Sequence, residues 1–114
     1  MHNLNLDFIK ANVSDDPEFI QELLEVFLSS LDTDVPALED AIHAGEHEAI
    51  RKAAHKVKSG FRSLGMQDMT DYLQNLEDMG KQGADLTTIQ KKFNGFMDDL
   101  PAVRMEINDY IEAL

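Results

Sequence analysis

Cysteine is missing from this chain. That excludes a disulfide framework and a thiolate metal site, and it suits a reducing cytosol. Long apolar runs are missing too. No stretch approaches the ~20 consecutive apolar residues of a membrane span. The opening MHNLNLDFIK lacks the charged-then-apolar order of a secretion signal. Repeats, low-complexity tracts and linker-like segments are also absent. Positive charge is scarce, with 10 Lys and Arg against 22 Asp and Glu and a net charge of −12. A chain this acidic repels nucleic acid rather than seeking it. These absences predict a cytoplasmic protein with no membrane or nucleic-acid partner. What remains is 114 residues, 43% hydrophobic, enough for one modest core and one domain over 1–114.

The apolar spacing is helical throughout. Leu4 and Phe8, with Ala11, suggest a short first helix that lids the rest, although Leu6, Ile9 and Val13 leave its inner face ambiguous. Asp16 before Pro17 has the form of a capping carboxylate followed by proline at the first helical position. A broad apolar face then runs through Phe19, Leu23, either Val26 or Phe27, and Leu31, with Ile20, Leu24 and Leu28 beside them. Pro36 interrupts the pattern, which resumes at Leu38, Ala41 and Ile42. One kinked, continuous helix ending at Gly45 is expected. The next helix spans Glu46–Leu64, with Gly65 as its stop. Another carries Met66, Met69, Leu73, Leu76 and either Met79 or Gly80 on one face, and the short break at Gly65 makes the two antiparallel neighbours. Asp85 caps a last helix with Leu86, Ile89, Phe93, Phe96 and Leu100, which Pro101 kinks or breaks. Val103, Ile107, Tyr110 and Ile111 extend the stripe, to pack on the bundle or to meet a partner. The expected fold is all-α: an antiparallel up-down four-helix bundle with a short N-terminal helix and an extended C-terminal one.

Charge singles out one segment. Five of the ten cations (Arg51, Lys52, Lys56, Lys58, Arg62) lie between residues 51 and 62, with no acid among them. On a wheel of ~100° per residue, Ile50, Ala53, Ala54, Val57, Phe61 and Leu64 form the inward stripe. His55 falls about 160° from Val57. Arg51, Lys58 and Arg62 lie within about 60° of the histidine, and Ser59 about 40° away on its other flank. The wheel predicts a solvent-facing imidazole ringed by cations. Neighbouring cations disfavour imidazolium, so a neutral, nucleophilic ring is expected near pH 7. The same cations suit a dianionic group once it arrives. His55 is thus a candidate phosphoryl acceptor. Gly60 inside this helix costs about 1 kcal/mol relative to Ala. Either a neighbouring helix or a docking partner must come close there. Asp40, His43 and His47 lack the Glu-x-x-His pairing of a bundle metal site, so no metal is expected.

The run AAHKVKSGFRSLGM resembles the histidine-containing phosphotransfer (HPt) domain of bacterial two-component phosphorelays. That pattern has His, an apolar residue two on, Lys three on, Gly four on and a second Gly ten on. His55, Val57, Lys58 and Gly65 match it, whereas Ser59 stands where the first Gly belongs and Gly60 follows. PEFIQELLEVFLSSL is similar to the family's preceding helix, and Leu73, Leu76 and Glu77 fit its following one. The resemblance covers roughly residues 16–95.

It implies a phosphorelay intermediate. The phosphoaspartate of a receiver domain, that of a hybrid sensor histidine kinase, docks over His55, whose Nε2 attacks. The group then passes to the aspartate of a response regulator's receiver domain. Lys58 is expected to stabilise the phosphoryl oxygens. Arg51, Ser59, Gly60, Arg62 and Met66 are expected to meet the receiver, with Met66 either there or simply filling the core. Mg²⁺ is expected on the receiver and no cofactor on this chain. With no Gly-rich phosphate loop, the protein reads as a carrier rather than a kinase, and patterning with no seam beyond one core predicts a monomer. The alternative is a helical interaction module that binds receivers or kinases without being phosphorylated.

Overall fold

A computed structural model of the chain describes Leu4 and residues 6–114. Five helices follow one another: α1 (Leu6–Asn12), α2 (Pro17–Ala44), α3 (His47–Ser63), α4 (Gln67–Gln82) and α5 (Leu86–Ala113). Among the described residues there is no strand. Helices α2 to α5 close into a ring in which α2 packs on α3, α3 on α4, α4 on α5 and α5 back on α2. This is the expected four-helix bundle. Its long dimension, 43 Å, matches the ~1.5 Å per residue of the two 28-residue helices.

Local chemistry sets the ends. Asp16 Oδ1 accepts the Glu18 N–H at 3.1 Å, and Pro17 starts α2. Gly45 ends it in the left-handed region at φ 69°, a conformation that costs glycine little. Asp85 caps α5 by accepting the Thr88 N–H. Both α2 and α5 run unbroken through their prolines, Pro36 and Pro101. The break allowed for at Pro101 does not occur: Leu100, Val103 and Ile107 are buried on both sides of it, and that packing outweighs one lost backbone bond.

The core is continuous. Phe27 meets Phe61 edge-on at 4.9 Å between ring centroids, and Phe61 meets Phe96 at 6.1 Å, joining α2, α3 and α5. The broad face assigned to α2 is narrower than expected. Ile20, Leu24, Phe27 and Leu31 are buried, whereas Phe19 and Val26 are 45% and 63% exposed. A helix flanked by two neighbours buries one stripe, and these two side chains lie outside it. At the N-terminus Ile9 is buried and Phe8 covers Gly65, while Ala11 is exposed. The tail of α5 packs on the bundle rather than waiting for a partner. Tyr110 donates its hydroxyl to the Leu4 carbonyl, and Glu106 accepts the Leu4 N–H.

Candidate functional site

Helix α3 puts His55 on the surface, with its side chain 54% exposed. Helix α4 lies alongside, and one position makes that possible. A Cβ on Gly80 would stand 2.8 Å from the Arg51 backbone nitrogen and 2.9 Å from the His47 carbonyl oxygen. Only a residue without a side chain lets α4 come this close to α3. One turn upstream, Glu77 is carried to the edge of His55. Its Oε1 lies 2.8 Å from His55 Nδ1 and 2.9 Å from Lys58 Nζ. Lys58 Nζ also donates to Gln74 Oε1 at 2.9 Å, and Gln74 Nε2 donates to Asp78 Oδ1 at 2.9 Å. The result is a hydrogen-bonded chain from an exposed imidazole through a half-buried carboxylate to a buried ammonium.

The charge state of Glu77 fixes the roles. Burial pushes its carboxyl up. The hydrogen bonds from Lys58 and His55, with the charge of both, outweigh burial and hold it below its ordinary value. An ionised carboxylate only accepts, so Nδ1 carries the hydrogen. In the neutral ring the lone pair then resides on Nε2. Any positive charge that develops on the ring faces Glu77, the arrangement by which a buried carboxylate orients and stabilises a reacting imidazole. The ring can therefore act as a nucleophile at one defined nitrogen.

Of the cations expected around the ring, Lys58 and Arg51 are paired with acids. Lys58 is buried at 4% exposure and committed to Glu77 and Gln74. The wheel placed it near His55 on the open face, but α4 covers that flank. Arg51 bonds Glu48 through Nε at 3.0 Å and a terminal nitrogen at 2.6 Å, which raises the guanidinium and lowers the carboxyl from their ordinary values. Lys56 reaches Asp34 of α2 at 3.1 Å. Lys52 and Arg62 are exposed on the same helix.

Ser59 is exposed beside the histidine, and its Oγ donates to the His55 carbonyl at 3.0 Å. Gly60 does not open a way for a partner. It faces Phe27 of α2, whose Cε1 would lie 2.8 Å from an added Cβ, so the close approach is internal. Met66 is 1% exposed and belongs to the core, which removes it from any docking surface. His47 uses Nε2 to donate to the Ala84 carbonyl at 2.7 Å, tying α3 to the loop before α5. Among the described residues, no three His, Cys, Asp or Glu side chains gather as metal ligands would. Glu77 itself was matched on its helix but given no role. The signal was its place 40° from Leu73, on the flank of the apolar stripe, ~100° per residue.

The four-helix bundle belongs to a known class. The chain is a member of the Hpt domain family, whose pattern matches residues 22–114 and so takes in most of α2 and all of α3, α4 and α5. Hpt domains are phosphotransfer carriers of two-component signalling. Among curated proteins, the Sensor protein EvgS of Escherichia coli (strain K12) is 25% identical over 75 residues, which cover 66% of this chain and 6% of that protein. The protein of the same name from Escherichia coli O157:H7 aligns with the same identity and coverage. The chain thus corresponds to a small part of the sensor proteins it matches. No solved structure matches it. Among the described residues, no helix is long and apolar enough to cross a membrane.

Proposed function

We propose that this domain is a phosphorelay intermediate that carries its phosphoryl group on His55 Nε2. The observation that supports this most is the bond from His55 Nδ1 to the Glu77 carboxylate in a side chain that is 54% exposed. It leaves the reactive lone pair on the nitrogen that is not tied down.

The donor is a phosphoaspartate of a receiver domain, as on a hybrid sensor kinase. The Nε2 lone pair forms the N–P bond while the P–O bond to that aspartate breaks, and its electrons stay on the aspartate as a carboxylate. The ring keeps its Nδ1–H and gains positive charge, which Glu77 offsets. The aspartate of a second receiver, that of a response regulator, then takes the group by the reverse step. The Mg²⁺ that this chemistry calls on belongs to the receivers, and this chain acts as a monomer without a cofactor of its own. Exposed Arg62 and Lys52 meet the incoming anion, with Arg51 and Ser59 beside them. Lys58 acts through Glu77 rather than on the phosphoryl oxygens.

The test is label transfer from phosphorylated receivers. The expected product is acid-labile and alkali-stable, is absent in His55→Gln, and shows phosphorus on Nε2 by ³¹P and ¹⁵N spectroscopy. Equal labelling of His55→Gln refutes the assignment. Tight receiver binding with no label on the wild type makes the protein an interaction module instead.

A further inference from the structure

We propose that the groove between α2 and α5 takes a tryptophan side chain of a partner protein. In the ring of helices this groove lies opposite the α3–α4 pair that carries His55. It stands apart from the phosphorelay reading and does not rest on it.

Two prolines make the site. Pro36 of α2 and Pro101 of α5 both line a cavity of about 270 Å³ between the helices. A helical N–H bonds the carbonyl four residues back, and proline has no N–H. The carbonyls of Asp32 and Met97 are therefore left without their helical donors, and both residues line the same cavity. Each proline ring crowds the carbonyl that it fails to bond, which sets those oxygens beside the rings that wall the cavity. The floor is apolar, formed by buried Leu31, Val35 and Leu100. At the edge Arg104 reaches from α5 to α2, with a terminal nitrogen 3.0 Å from Asp32 Oδ1. That contact lays a flat guanidinium beside the opening.

These features select the occupant. The volume falls below the ~300–1,000 Å³ of pockets for drug-sized ligands, so the cavity suits one side chain. Its apolar floor disfavours a charged group. The Met97 thioether and the Arg104 guanidinium both favour an aromatic ring. The backbone carbonyls only accept. Indole combines a large apolar body with an N–H that only donates. Phenylalanine would leave the carbonyls bare, and the tyrosine hydroxyl would bring a further acceptor to a site already supplied with them. The ring arrives on a chain rather than as a free small molecule. Met105, one turn beyond Pro101, is 66% exposed and gives the residues next to the tryptophan an apolar surface to cover.

The experiment titrates the ¹⁵N-labelled protein with N-acetyltryptophanamide and with a short peptide holding one tryptophan between leucines. The chain has no tryptophan of its own, so fluorescence of the probe gives a second readout free of background. Amide shifts are expected over 31–37 and 97–105, with a Kd on the order of 1 mM for the amide and about tenfold lower for the peptide. Met105→Ser is expected to remove the advantage of the peptide. Methylating the indole nitrogen is expected to weaken binding about fivefold, the worth of one hydrogen bond. Pro36→Ala combined with Pro101→Ala returns an N–H to each carbonyl and is expected to weaken binding at least as much. Alanine is the better helix former, so this variant keeps its fold. No shift in those two segments at about 10 mM probe overturns the proposal. So do equal binding of the methylated probe, wild-type affinity in the double proline variant, or shifts confined to the surroundings of His55. A peptide that binds no tighter than the amide overturns the partner chain as occupant. None of these outcomes touches the assignment of His55.

Discussion

Replacing Lys58 by Met keeps the aliphatic stem in its slot between α3 and α4 and deletes the ammonium. The side chain is 6% exposed and its Nζ serves both Glu77 and Gln74. Removing one member of a buried ion pair costs ~3–5 kcal/mol. Glu77 keeps 17% exposure and the His55 donor, so about half of that, ~2 kcal/mol, is expected. For a domain of this size that lowers Tm by about 5–10 °C. The chemical effect follows from the same loss. Without the ammonium, burial is opposed by His55 alone, and the Glu77 carboxyl moves up. Glu77 loses one of the two bonds that hold it in place, and its hold on His55 Nδ1 loosens. Labelling of Lys58→Met by phosphoramidate, a small donor that needs no docking surface, is therefore expected to slow several-fold at neutral pH. Long-range ¹H–¹⁵N spectra of the ring report whether Nδ1 still carries the hydrogen. A variant with unchanged Tm and unchanged phosphoramidate labelling that loses only transfer from receivers would falsify this account and return Lys58 to the phosphoryl oxygens.

Two further outcomes are expected. Gly80→Ala forces a Cβ against backbone that cannot yield, so a loss of about 2–3 kcal/mol in a urea titration is predicted. Gly83→Ala meets nothing within 4 Å and carries only the ~1–2 kcal/mol cost of its left-handed φ, so equal losses refute the close-approach argument. Glu77 has a folded-state value below its ordinary 4.5, so its ionised form contributes stability that is fully present above that value and is lost as pH falls through the depressed one. Tm measured from pH 6 to pH 2 should accordingly fall less steeply in Glu77→Gln than in the wild type, and parallel curves count against the clasp.

Most of the fold was legible because its signals are local. Asp16–Pro17, Gly45, Gly65 and Asp85 bound helices by chemistry confined to one turn, and the apolar steps of three and four identify the core. His55 was legible for the same reason, since its own helix decides which way it points. What escaped the reading depends on neighbours. The wheel of α3 cannot know that α4 covers Lys58 or supplies Glu77 from 22 residues downstream. The absence of acids between 51 and 62 suggested unpaired cations, yet Glu48, Asp34 and Glu77 reach in from outside that window, two of them from other helices. Gly60 had two readings until Phe27 was seen against it. Phe19 looked like core, and Val26 could not be told from Phe27, because apolar residues crowd α2 on more sides than its two neighbours can cover.

The seam at Gly80 reaches beyond the stability of two helices. Where backbone rests on backbone there is no soft layer of side chains to absorb a push, so α3 and α4 shift together or not at all. The histidine and its carboxylate are mounted on one stiff plate, assembled before any visitor comes. Any adjustment around the ring then falls to side chains and not to the seam between the two helices.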